Sequence, residues 1–447
     1  MPTHPFASPL GATLAAAPDT TRTAPGFPLV IGVLMLLCAA AFVTAYRRQW
    51  SPPLAATVAV ALGLRLVVLG FSYGHTPHDV ASYFKHTGDL VLAGHNPATG
   101  LPRFQWNFLP LMPYVYALEI KTGLPWQLGG KIAPILADAA IVLLLARLAP
   151  ARHAGTVALL YALCPLAILV SAQHGQVEPV ALALGLGALL YARRGADLRS
   201  GLLAGLAVAT KTWPVLLAVG VFRQTPPRRW WRVAAPLAVV LAVLLASVRL
   251  FLHDSMHAMV HTLTSYRSYV GTWGWAGVLG HFHVVGIGYT GWNVDSYQKF
   301  DSVLMALAVA AVIALFWRAG AVALTASLLL AFLAVTAGFG VQYLLWPAPF
   351  VLLLRRPSGM VFAFAASVYA AFVYLIAIPA TTHGGLWLAA QRWGSLPLIA
   401  CAVAAMPWAL RRAGAGAEPE PGDDGEGGEG GGTQPHADTG ELSRSNG

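Results

Sequence analysis

The sequence predicts an all-α, polytopic transmembrane helical bundle, with about eleven spans and one broken helical hairpin. Three observations carry the helical membrane reading. Of 447 residues, 57% are hydrophobic and only 10% charged, a balance foreign to soluble globular domains. Apolar runs of about 17–22 residues recur as far as residue 410, the length a helix needs to cross a hydrocarbon core of ~30 Å. Arginines gather at the ends of those runs, which marks cytoplasmic loops. The net charge of +10 is therefore no nucleic-acid signal. Cys38, Cys164 and Cys401 all fall within apolar runs and read as small core residues, not as a disulfide framework.

The first span, 27–46, ends in Arg47-Arg48 and is too long, and too late in the chain, for an ordinary cleaved signal peptide. A second span, 53–71, follows a short basic turn. With Arg47 and Arg48 inside, the N-terminus lies outside and 72–126 is an outer segment. Spans at 128–149 and 154–172 are joined by a turn carrying Arg147, Arg152 and His153, and the next, 177–192, ends at Arg193-Arg194. The stretch 200–222 lies between Arg199 and Arg223, so both its ends belong inside. A hairpin broken at Lys211-Thr212-Trp213-Pro214 satisfies that requirement, because Pro214 lacks an amide hydrogen and disfavours helix at the residue before it. Arg228, Arg229, Arg232, Arg318, Arg355, Arg356, Arg411 and Arg412 mark the later inner loops. A second outer segment, 252–300, is rich in His, Trp, Tyr and Gly. The membrane domain, 1–412, is followed by an acidic, Gly-rich stretch, 413–447, expected to be a disordered cytoplasmic tail. No internal repeat is visible.

Acid–base chemistry has few candidates. Eight of the 18 acids lie in the tail, leaving ten before it. Asp79 stands out because it opens a polar stretch directly after a hydrophobic span. Val80, Tyr83, Phe84, Leu90 and Val91 recur at helical spacing, so 77–92 forms an amphipathic helix with Asp79, Ser82, His86 and Asp89 on the other face. Thr76-Pro77-His78-Asp79 also reads as a capping sequence, so Asp79 is a helix cap, a catalyst, or both. The end of the fourth span, SAQHGQVEP, brings Gln173, His174, Gln176 and Glu178 to one helix junction, either as a hydrogen-bonded connection or as a site lining. Lys211, set in apolar sequence, needs an anionic ligand or a partner such as Glu178 or Asp138. Arg65 is expected to snorkel outward, and Glu119 and Lys121 to be solvated. Gln342, Tyr343 and Trp346 share a helical face, as interface anchors or site residues. His253, His257 and His261 are too loosely spaced to argue for a metal, and no Walker loop, HExxH or G-x-S-x-G is present.

In order, these motifs resemble the GT-C glycosyltransferases, and among them the bacterial polyprenyl-phosphomannose-dependent α-mannosyltransferases. The residues that carry the resemblance are Asp79 with Tyr83, Gly94-His95-Asn96-Pro97, His174-Gly175-Gln176, the break at 211–214, and Gln342-Tyr343-Leu344-Leu345-Trp346 with Pro347. Asn107-Phe108-Leu109-Pro110 departs from the Tyr-Pro-Pro-like turn of relatives, and Glu178 stands where an Asp is common. The resemblance implies an inverting transfer of a hexose, mannose above others, from a polyprenyl-phosphate donor. The acceptor hydroxyl would belong to a glycolipid, polysaccharide or protein outside the bacterial plasma membrane. It implies Asp79 as general base, with Asp89 in reserve. Lys211, His174, Gln176, Glu178, Tyr83, Gln342 and Tyr343 would bind donor phosphate or substrate. No cofactor is implied, and no paired-acid motif is present to hold a divalent metal. The rival reading is a multispan transporter or lipid-linked glycan flippase, which would also keep charges at depth but without covalent chemistry.

Overall fold

The computed structural model describes residues 26–101, 106, 108–264, 271–282, 294–378 and 385–412. The expected tail, 413–447, lies outside them. The described residues fold into helices and turns without strands. Two long helices open the bundle, α1 (Phe27–Arg48) and α2 (Leu54–Phe71). A π-turn (Asp79–Phe84), α3 (Lys85–Leu92), α4 (Pro97–Gly100) and α5 (Leu111–Lys121) form a cap of short helices, and α6 (Trp126–Leu148) returns through the bundle. Then come α7 (Ala154–Leu163), α8 (Pro165–Ile168) with a π-turn (Leu169–His174), α9 (Glu178–Arg193), α10 (Asp197–Thr210), α11 (Val215–Gln224) and α12 (Trp230–Phe251). The rest is α13 (Met256–Thr264), α14 (Gly274–His281), α15 (Val294–Phe316), α16 (Ala321–Val335), a 3-10 turn (Val341–Leu345), α17 (Ala348–Leu354), α18 (Pro357–Phe372) with a π-turn (Val373–Ala377), and α19 (Gly385–Ala405).

Among the described residues, seven helices are long and apolar enough to cross a membrane, and a pair bent by 52° at Cys164-Pro165 makes an eighth. The expectation of about eleven spans meets shorter helices elsewhere. At 1.5 Å per residue, α10 and α11 reach only about 21 and 15 Å. They meet at the break expected at 211–214, where Lys211 leaves helical geometry at φ −157°, ψ 160°. A second hairpin, which the sequence does not announce, pairs α16 with the 3-10 turn and α17.

The basic loops gather at one end. Arg193 Nη1 donates to the Leu148 carbonyl at 2.8 Å, Arg223 to the Trp317 carbonyl, and Arg355 to the Gln49 side chain. A small cavity of about 130 Å³ at this end is lined by Arg193, Gln224, Ala321 and Leu354. Both arms of the second hairpin and the outgoing arm of the first therefore end here. Small residues let these helices pack closely: a Cβ at Gly201 of α10 would lie 2.3 Å from the Val233 carbonyl oxygen of α12, and one at Gly220 of α11 2.1 Å from Thr325 Oγ1 of α16.

Two ion pairs lie inside the bundle, Arg65–Asp138 and Lys211–Glu178. Arg65 does not snorkel: it is fully buried, and its Nε donates to Asp138 Oδ2 at 2.6 Å. The Asp138 carboxylate also accepts from Tyr161 at 2.5 Å and Ser171 at 2.8 Å. The pair sits beside the bend. Pro165 cannot donate an amide hydrogen, and the backbone groups freed around it find side chains instead. Arg65 Nη1 donates to the Ala162 carbonyl at 3.1 Å, and the Leu166 amide donates to Ser367 Oγ at 3.3 Å. Arg65 and Ser367 thus satisfy backbone groups that the bend would otherwise leave unpaired in the bundle interior.

Candidate active site

The site lies at the helix ends remote from those basic loops, beneath the cap of short helices. Aromatic packing fixes the cap: Phe84 stacks on Tyr116 with centroids 5.4 Å apart, and Trp106 meets both edge-on. Gly88 lets α3 approach the α5 backbone, since a Cβ there would lie 3.0 Å from the Tyr116 carbonyl carbon. Trp126 Nε1 donates to the Val80 carbonyl at 2.8 Å, tying the first π-turn to the head of α6.

Asp79 opens that π-turn. Its Oδ1 accepts from its neighbour's amide, Val80, at 3.0 Å, and no side-chain cap onto the following turn forms. The carboxylate faces the junction 174–178 instead. Gln176 Nε2 donates to Asp79 Oδ2 at 2.5 Å, His174 Nε2 lies 3.6 Å from Asp79 Oδ1, and Gln176 also reaches His174 Nδ1 at 3.0 Å. Gly175 makes this possible at φ +90°, a left-handed turn that sets the flanking side chains on one carboxylate. The Asp79 side chain remains 33% exposed, so it is reachable.

A third π-turn joins the same place. Tyr374, in Val373–Ala377, sets its ring 5.0 Å from the His174 ring. All three π-turns among the described residues thus converge on one imidazole, and such turns concentrate at functional sites. The Tyr374 hydroxyl is buried without an internal partner, as is that of Tyr116. Burial, and next the carboxylates of Glu119, Glu178 and Asp79, push the Tyr116 phenol well up, so it stays a protonated donor.

Lys211, at the tip of the first hairpin, donates to Glu178 Oε1 at 2.6 Å. Its ammonium also lies over the rings of Phe108 (5.7 Å) and Tyr343 (5.9 Å). The tips of the two hairpins meet here, with Trp213 stacked on Trp346 at 4.3 Å and 9°. Beside them opens a cavity of about 640 Å³ lined by Lys211, Gln342, Tyr343, Asp301, Thr336 and Trp346 among others. An ammonium has three donors and Glu178 takes one, so Lys211 can still bind an anion from the cavity.

The structure therefore brings Asp79, His174 and Gln176 together, and joins Lys211 and Glu178 to Gln342 and Tyr343 at the cavity. The two groups are linked through the single junction 174–178. Two of the expected residues stand apart. Asp89 pairs with Lys85 at 2.9 Å on the surface, both side chains more than 40% exposed. Tyr83 turns edge-on to His78 at 5.3 Å. The π-turn explains this: its wider turn breaks the α-helical register that would have aligned Asp79 with Asp89. Glu119, expected in solvent, is buried, and burial raises its pKa to about 7 against the opposing hydrogen bond from the Ala133 amide.

A multispan helical body with a reachable carboxylate and a lysine-lined cavity at one end has the character of a membrane glycosyltransferase. The chain belongs to glycosyltransferase family 87, whose model matches residues 113–339. That stretch contains His174, Gln176, Glu178 and Lys211, whereas Asp79 and Gln342 fall to either side of it. No curated protein matches the chain.

Proposed function

We propose that this glycosyltransferase moves a hexose, mannose by resemblance, from a polyprenyl-phosphate donor to an acceptor hydroxyl at the extracytoplasmic face of a bacterial plasma membrane. The observation that carries this reading is the placing of one reachable carboxylate, Asp79, against the junction that also holds the Lys211–Glu178 pair at the cavity. Asp79 takes the proton from the acceptor hydroxyl, whose oxygen attacks the anomeric carbon. The bond from that carbon to the phosphate oxygen breaks, and polyprenyl phosphate leaves with the electron pair. One direct displacement inverts the anomeric configuration. Lys211 offsets the charge growing on the leaving phosphate, as preorganised donors do for developing charge. Gln176 and His174 hold Asp79 in place. A lipid-linked donor cannot leave the bilayer, which suits a site at the ends of membrane helices. The basic loops at the other end support the extracytoplasmic side, since such loops favour the cytoplasm.

The test uses purified protein in lipid with radiolabelled polyprenyl-phosphomannose and a membrane-lipid extract. Label should move into an acceptor with the wild type and not with Asp79→Asn. Transfer from a nucleotide sugar instead would overturn the donor, and donor translocation without transfer would favour the flippase reading.

A further inference from the structure

Lys131 enters neither the cavity nor the ion pairs. It lies fully buried in α6, and no carboxylate of the described residues stands within ion-pair distance. A lysine held this way in a membrane helix is costly and calls for a specific partner. Its ammonium donates to the Gln173 carbonyl at 2.6 Å and to Ser72 Oγ at 3.3 Å. The Gln173 carbonyl belongs to the last residues of the second π-turn, where a helix end leaves carbonyls unpaired and favours a cation. The amides of Gly175 and Gln176 both turn back to the Val170 carbonyl, at 3.1 and 3.0 Å. The lysine stem fills the space under Gly175, where a Cβ would lie 2.9 Å from Lys131 Cγ. One side chain thus holds the carbonyl before His174 and the glycine after it. The direction of residues 174–176 is what puts Gln176 Nε2 at 2.5 Å from Asp79.

We propose that Lys131 is a positioning residue of the active site: it holds the turn at 174–176 so that Gln176 and His174 stay on Asp79. Being sealed from solvent, it touches no substrate and acts only through that turn. The inference rests on Asp79 acting as the base.

The full-length protein in lipid nanodiscs provides the test, with Lys131→Met made in the wild type and in a Gln176→Leu background. In the wild type, kcat should fall about 10–100-fold, the scale on which a misplaced reacting group is felt, while donor KM stays within about twofold. In the Gln176→Leu background, the same change should cost kcat at least severalfold less, because one of the two contacts it serves is already gone. An equal loss in both backgrounds, or kcat and KM worsening together, would mean that Lys131 only supports the fold. If Lys131→Met does not insert, Ser72→Ala removes the ammonium's second acceptor and is read the same way, with a smaller fall in kcat. Asp79→Asn measured alongside separates the two claims. Activity retained there overturns the base and the inference with it, whereas an inactive Asp79→Asn with equal Lys131 factors in the two backgrounds overturns the positioning role alone.

Discussion

Two ion pairs in this molecule have the same length and opposite settings. Arg65–Asp138 and Lys211–Glu178 both close at 2.6 Å. The first is sealed: both side chains are fully buried and both Asp138 oxygens accept hydrogen bonds, while Arg65 Nη2 is buried without a partner and faces no cavity among the described residues. In the second, the lysine side chain is 12% exposed at a cavity wall, and Glu178 Oε2 is buried without a partner. A sealed pair that faces no open space is an architectural element, and removing one partner strands a charge in the bundle interior. An unsaturated pair at a cavity keeps capacity for a ligand. The comparison teaches that depth alone does not mark a functional charge; spare donors and acceptors facing open space do.

The sharpest way to break this contrast is to neutralise the pairs. Arg65→Met strands Asp138 and should cost about 3–5 kcal/mol, seen as loss of folded, monodisperse protein in detergent. Lys211→Met combined with Glu178→Gln removes both charges at once. That variant should fold with a melting temperature near wild type yet lose about 10²–10³ in kcat, the scale of a lost charge-stabilising donor. A misfolded cavity-pair variant, or an active and stable Arg65 variant, would reverse the assignments.

Smaller effects come from the cap. Burial raises the Glu119 carboxyl to about 7. A carboxyl raised on folding costs stability above its unfolded pKa, and that cost is complete once the pH passes the folded value. Glu119→Gln should therefore stabilise the protein at about pH 8 by on the order of 1–3 kcal/mol and change little near pH 4. Melting curves at the two pH values check this. Asp254 behaves the other way and joins the two outer segments. Burial works against its charge, but hydrogen bonds from Thr99, Asn96 and the Ser255 amide outweigh it and hold its pKa below the ordinary value. A depressed carboxyl stabilises the fold above its unfolded pKa, and the contribution fades as pH falls through the folded value. Proteolysis within the cap should quicken below about pH 4 in the wild type, and Asp254→Asn should show that faster cleavage already at neutral pH.

Much of this was legible in the sequence, for physical reasons. Run lengths and arginine placement revealed the helical body and its basic end, because both answer to the bilayer directly. The break at 211–214 followed from Pro214 in an apolar run. The meeting of Asp79 with His174 and Gln176 was suggested by their motifs, not by spacing. Other features had no local signal. Arg65 and Asp138 stand 73 residues apart, and nothing in either run shows that they pair. Lys131 and Tyr374 look like stray polar residues in spans, since their roles exist only once α6 and α18 pack against the junction. The π-turns shift register without a sequence signature, which is why Asp89 failed to align with Asp79. The second hairpin hides in apolar sequence whose break, 336–340, carries glycines but no charge.

The central claim is that Asp79 is a base and not a cap. Its most direct test is the single-turnover rate of sugar transfer from labelled polyprenyl-phosphomannose at saturating donor, wild type against Asp79→Asn, with donor binding measured on the same samples. The account predicts a rate lower by about 10²–10⁴, the range for loss of a general base, with donor affinity unchanged. A wild-type rate in the variant would contradict it.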